Sequence, residues 1–116
     1  MNKVRNSITL IGNLGKDPEI KQFENGKTVA NFSLATNEVY RNAKGDKVTS
    51  TQWHNIVAWG KQAEIMRDLL KKGSEIAVTG RLTYRSYQDK DGNNRYIPEV
   101  IAEDFHLMSG GQKERA

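Results

Sequence analysis

The sequence predicts an all-β protein: a small five-stranded Greek-key barrel with one α-helix between its third and fourth strands. Three observations carry that expectation. Hydrophobic residues recur with a period of two in five separate stretches, as in strands that turn one face to a core. One stretch, after the third of these, switches to the helical period. Glycine, proline and asparagine punctuate the joints.

The first strand is SITLIGNLG (7–15), with Ile8, Leu10 and Leu14 on one side and β-branched Thr9 and Ile11 between them; it ends in a glycine-rich turn. KDPEIKQFENGK (16–27) reads as a connection punctuated by Pro18 and the Asn25-Gly26 pair. TVANFSLATNEVY (28–40) alternates again and places Ala30, Phe32 and Leu34 on one face. RNAKGDKVTS (41–50) is polar and basic and reads as a solvated loop, leading into the third strand, TQWHNIVAWGK (51–61). The period then changes. In KQAEIMRDLLKKG (61–73), Ala63, Met66 and Leu70 share a helical face with Ile65 and Leu69 beside them. Lys71 and Lys72 complement the carboxyl end of that helix, and Gly73 is its candidate left-handed cap.

Period two returns in SEIAVTGRLTYRSY (74–87). Ile76, Val78, Leu82 and Tyr84 take one face; Thr79, Arg81, Thr83, Arg85 and Tyr87 take the other. DKDGNN (89–94) is a hairpin turn in which Asp89 and Asp91 are turn residues, and RYIPEVIAEDFHLM (95–108) is the last strand. Pro98 predicts that this strand is partly an edge or is bulged. Five strands with a single helix after the third is the order of the OB-fold, a barrel that binds oligonucleotides or oligosaccharides on one face.

At 116 residues the chain is one domain, with 28% charged and 36% apolar residues as in soluble globular proteins. It has no apolar run of membrane-spanning length, and SITLIG is too short for a signal-peptide core. No cysteine is present, which excludes disulfides and thiolate metal sites and favours a cytoplasmic location. The net charge of +4 suits a polyanionic partner without selecting one. No P-loop and no histidine–carboxylate cluster at metal-ligand spacing occurs, so we expect no enzyme, no metal and no cofactor. GNLG (12–15) ends a strand and is a turn; the GXXG clamp of KH domains lies between helices.

The third strand raises the functional question. If it is extended, Trp53, Asn55, Val57 and Trp59 point one way, while His54, Ile56 and Ala58 point the other. The second set suffices for a core, which leaves His54 as a satisfied core or interface histidine and the only two tryptophans on the opposite face. Arg81, Arg85 and Tyr87 occupy the corresponding face of the fourth strand, and Tyr40 and Arg41 close the second. Aromatic planes interleaved with cations suit single-stranded nucleic acid, whose unpaired bases stack while its phosphates need neutralising. Burial of the tryptophans in a subunit interface is the alternative. An oligosaccharide site would call for neutral hydrogen-bonding groups, and Arg81 and Arg85 speak against it.

LIGNLGKDPE, ENGKTVANFSLATNE, TQWHNIVAWGKQAE, KKGSEIAVTGRL and YRSYQDKDGNNRYIPEV, in this order, resemble the bacterial single-stranded-DNA-binding protein family. The resemblance covers nearly all of residues 3–108. It implies an OB-fold domain over 1–108 with a short flexible end at 109–116, a homotetramer, and single-stranded DNA wrapped in replication, repair and recombination. It implies a cytoplasmic, nucleoid-associated protein. It places the stacking aromatics at Tyr40, Trp53, Trp59 and Tyr87, and it puts His54 near a subunit contact. Lys3, Arg5, Lys61, Lys72, Arg81 and Arg85 are candidate phosphate contacts. Lys44, Lys47, Lys90 and Arg95 are expected on two loops, adding diffuse attraction. Many members end in a long tail with an acidic, apolar tip that recruits proteins. This chain stops at SGGQKERA, so the resemblance does not extend to partners recruited through an acidic tail.

Overall fold

The computed structural model describes residues 5–109. Strands β1 (Ile8–Leu14), β2 (Glu19–Gln22), β3 (Thr28–Arg41) and β4 (Lys47–Trp59) precede helix α1 (Lys61–Leu69). Strands β5 (Glu75–Gln88) and β6 (Asn94–Ser109) follow it. The sheet order is β1-β5-β6-β4-β3-β2, and β1 also pairs with β3 through Asn13↔Ala35 and Leu14↔Leu34. That last pairing closes five strands into a barrel, with β2 attached outside it along β3. The five-stranded barrel with one helix is therefore as expected. Closure depends on Gly12, because a Cβ there would run into the carbonyl group of Ala35, where β1 and β3 approach.

The inward face of each barrel strand supplies the core. Leu14, Ala30, Phe32, Leu34, Ile56, Ala58, Ile76, Val78, Val100 and Ala102 are buried, and Ile8 and Leu10 pack against them. Helix α1 contributes Ala63 and Met66, with Leu70 just after its end. Ile65 and Leu69, expected beside that face, are exposed. The helix is short, and a 100°-wide stripe holds only one row of buried residues. Gly73 does take positive φ, but it is not the helix cap: the helix ends at Leu69, and Gly73 sits in the turn of Lys71–Ser74.

Two expected connections contain strand as well as turn. Residues 16–27 contain β2, which pairs with β3 from Glu19↔Asn31 to Gln22↔Thr28. In residues 41–50 the expected loop is a turn at 42–46, and Arg41 and residues 47–50 belong to a long β3–β4 ribbon whose register runs from Val29↔Trp59 to Arg41↔Lys47. A ribbon solvated on both faces has no hydrophobic alternation to reveal it, and its pairing rests on backbone hydrogen bonds and turn chemistry. Three hairpins share that chemistry. In 23–27, 42–46 and 89–93, the first amide donates to the fifth carbonyl, and a glycine at the fourth position, with φ between 83° and 86°, donates back to the first. Asn42 and Asp89 add side-chain oxygens that accept two further backbone amides each.

The β5–β6 hairpin also outruns the barrel, which corrects the assignment of Tyr84 to the core face. Tyr84 is 64% exposed, because the core ends before the ribbon does. Pro98 opposes Tyr84 just before β6 begins its parallel pairing with β4 at Ile56↔Val100, so it stands where one side of β6 pairs with no strand among the described residues. The irregularity expected near Pro98 lies farther along: register shifts occur between Thr79 and Gly80 and between Glu75 and Ile76.

Candidate nucleic-acid interface

Strand β4 forms the floor of the outer face. Ile56 and Ala58 are fully buried beneath it, while Trp53 and Trp59 are 60% and 49% exposed on the other side. Both rings are held by glycine-dependent geometry. A Cβ at Gly15 would lie 2.6 Å from the Trp53 ring, so the β1–β2 turn is the seat on which that ring rests. Gly60, with φ 66°, swings the chain from β4 into α1 directly after Trp59, and its amide donates to the Thr28 carbonyl. On the inner side, His54 Nε2 lies 2.9 Å from Thr36 Oγ1 and is partly buried, as expected of a satisfied histidine.

The strand carrying the arginines is not the neighbour of β4. Strand β6 lies between them, and the row Val57↔Ile101↔Arg81 runs across all three. Sequence order does not show this, because β6 returns from the far end of the chain. The outer face therefore also carries Glu99, which sequence reasoning missed. Glu99 is largely buried and accepts a hydrogen bond from Arg85 Nε at 3.1 Å; Glu103 stands 3.9 Å from Arg81 Nε. Both arginines remain more than half exposed, so the carboxylates orient guanidinium groups that still present donors outward.

Three grooves join across this face. One, of about 510 Å³, is lined by Gly15, Lys16, Asn31, Trp53 and Asn55. A second runs between Trp53, Asn55, Pro98 and Glu99, and a third between Phe23, Val57, Trp59, Arg85 and Glu99. Shared walls at Asn31, Asn55 and Glu99 make one track from Trp53 to Trp59 and on to Arg85. Lys61 begins the helix beside Trp59. The Lys72 amide donates to Asp17 Oδ1 at 2.7 Å, which sets Lys72 beside the turn near Trp53. Asn6 bonds the backbone of Leu82 in both directions and so places Arg5 next to β5.

The register puts Tyr87 on the same side of β5 as Arg81 and Arg85, out on the β5–β6 ribbon. Tyr40 opposes Val48 on the β3–β4 ribbon, on the side of His54 and Ile56 and opposite Trp53; the structure does not gather it with the tryptophans. Lys3 lies outside the described residues. Lys44, Lys47 and Lys90 are exposed at the ribbon tips, but Arg95 is not a diffuse charge, since its Nε donates to Asp89 Oδ2 at 2.9 Å. That bond, chiefly, and the backbone amide of Asn93 hold the Asp89 carboxyl below its ordinary pKa. Among the described residues no three His, Asp or Glu side chains gather to hold a metal, and no helix is long and apolar enough to cross a membrane.

A closed OB barrel whose outer groove is edged by aromatics and arginines defines an oligonucleotide-binding protein. The sequence pattern of the single-strand binding protein family matches residues 5–108, and the chain belongs to that family. It is 42% identical over 111 residues to single-stranded DNA-binding protein 1 of Chlorobaculum tepidum, covering 91% of this chain and 68% of that one. It is 41% identical to the single-stranded DNA-binding protein of Neisseria meningitidis, covering 96% and 63%. The chain thus spans about two thirds of the length of these relatives. Its fold is similar to that of the Plasmodium falciparum SSB in complex with ssDNA (TM-score 0.82, 33% identity, 90% of this chain and 95% of that one). It is also similar to a deletion mutant of the single-stranded DNA binding protein from Thermus aquaticus (TM-score 0.78, 32% identity, 90% and 51%).

Proposed function

We propose that this chain binds and protects single-stranded DNA, without catalysis and with little sequence preference, during replication, repair and recombination. The observation that carries this reading is the pair of half-exposed tryptophans along one groove, on the strand whose opposite face buries Ile56 and Ala58 completely. Bases stack on Trp53 and Trp59, and on Tyr40 and Tyr87 where the strand passes the ribbons. Arg81, Arg85, Lys61, Lys72 and Arg5 neutralise phosphates, with Lys3 as a further candidate. Duplex DNA keeps its bases stacked inside and offers these rings nothing. A homotetramer gives the strand several such faces to wrap, raising the local concentration of each after the first is engaged. The location is cytoplasmic, at the nucleoid.

Titration of the intrinsic tryptophan emission with oligo-dT, oligo-dA and duplex DNA tests the reading. Both single strands are expected to quench strongly and the duplex weakly. An unchanged signal at saturating single strand would refute it.

A further inference from the structure

The proposed function leaves one aromatic ring of the groove unused. Phe23 lies at the end of β2 and stacks on Trp59, with ring centroids 6.2 Å apart and an angle of 18° between planes. It is about half exposed, as is Trp59, so the pair presents free aromatic surface to the groove it lines. Local chemistry pins Phe23 there. Its amide donates to the Lys27 carbonyl at 2.8 Å, its carbonyl accepts from the Gly26 amide at 2.8 Å, and Asn25 Oδ1 accepts from the Lys27 amide. A cation accompanies the ring. Lys21 opposes Val29, which opposes Trp59, so Lys21 rises on the outer face beside Trp59 and lines the same groove. An aromatic plane with a lysine two residues away repeats, on β2, the pairing of stacking surface and cation that the main face offers to a nucleotide.

We infer that β2 and its turn form a second wall of the single-strand site, with Phe23 and Trp59 as a two-ring base platform and Lys21 as its phosphate contact. This rests on the single-strand reading of the groove and adds to it a binding element outside the barrel. Arg85 lines the same groove as the Phe23 ring. The opposing outer-face acids Glu19 and Glu99 line the same groove, and Glu99 is already engaged by Arg85. Lys21 is therefore the cation that brings a phosphate to this wall.

The test is photo-crosslinking of the full chain to oligo-dT carrying 5-iododeoxyuridine, followed by tryptic mapping. Cleavage after lysine separates Phe23, in peptide 22–27, from both tryptophans, in peptide 48–61. Crosslinks in both peptides are expected. In parallel, Phe23→Ala should lose roughly tenfold in affinity for oligo-dT, as for one unstacked base, and Phe23→Tyr should retain it. Lys21→Gln should lower the slope of log affinity against log salt by about 0.7. Crosslinks confined to 48–61, or wild-type affinity in Phe23→Ala with its fold intact by circular dichroism, would overturn the inference while leaving the main face standing. A wild-type chain that fails to bind single strands would overturn both.

Discussion

Trp53 shows how a single residue can be committed to solvent by its neighbours. A tryptophan ring carries more apolar area than any other side chain, and leaving one on the surface forgoes about 1.5–3 kcal/mol of burial. Here the inner positions of β4 are filled by Ile56 and Ala58, and the Trp53 ring occupies the space that a side chain at position 15 would need. Trp53→Ala and Trp59→Ala should each weaken single-strand binding by about 1–3 kcal/mol in equilibrium titrations, with little loss of stability. Variants that bind normally yet fail to assemble would reassign the tryptophans to a subunit interface. Arg85 gives its Nε donor to Glu99, while Arg81 only faces Glu103 at 3.9 Å, and both guanidinium groups stay more than half exposed. Replacing Arg81 and Arg85 together by Gln should therefore lower the salt slope of binding by about 1.4, at 0.7 per single-strand phosphate contact. Lost affinity with an unchanged slope would mean that they stack on bases or hold the sheet instead.

The elements divide into barrel and ribbon. Inside the barrel, burial drives pairing: Met66 of α1 is fully buried, and Met66→Ala should cost about 2–5 kcal/mol in denaturant unfolding. Outside it, the β3–β4 and β5–β6 ribbons bury little and depend on their turns. At the β5–β6 tip, Asp89 receives the Arg95 guanidinium and the amides of Asp91 and Asn93. Because its folded pKa lies below the unfolded one, its contribution is present above the unfolded value and disappears as pH falls through the folded value. An NMR titration should find the Asp89 carboxyl below the ordinary aspartate range, and Arg95→Ala should move it upward. The protection of the tip amides against exchange, taken relative to the intrinsic rate at each pH, should fall as Asp89 protonates. An unshifted carboxyl in the wild type would remove Arg95 from this role and return it to the free cations of the ribbon.

For the whole molecule, one barrel offers a track only from Trp53 to Arg85, so wrapping a long strand calls for several copies. Light scattering at micromolar protein should give four times the 13.1 kDa chain mass. A single-chain mass would leave a monomeric binder with the same face.

Much of this organisation was legible in the sequence because burial writes itself into periodicity. The alternation of Ala30, Phe32 and Leu34, and of Ile56 and Ala58, identified the core face of each strand and put the tryptophans on the other. The switch of period at residue 60 located the helix. Those signals depend only on which side of a strand or helix meets water, a property of near neighbours along the chain. The ribbons were illegible for the same reason: where β3 and β4 run past the core on either side of the turn at 42–46, little of the chain is buried and the strand pairing leaves no hydrophobic pattern. Other features had no local cause. That β6 runs between β4 and β5, bringing Glu99 and Glu103 to the arginines, was decided by barrel closure. So were the seat of Trp53 on Gly15 and the stacking of Phe23 on Trp59. These contacts join residues 14 to 38 positions apart, and only the folded chain sets the distance between them.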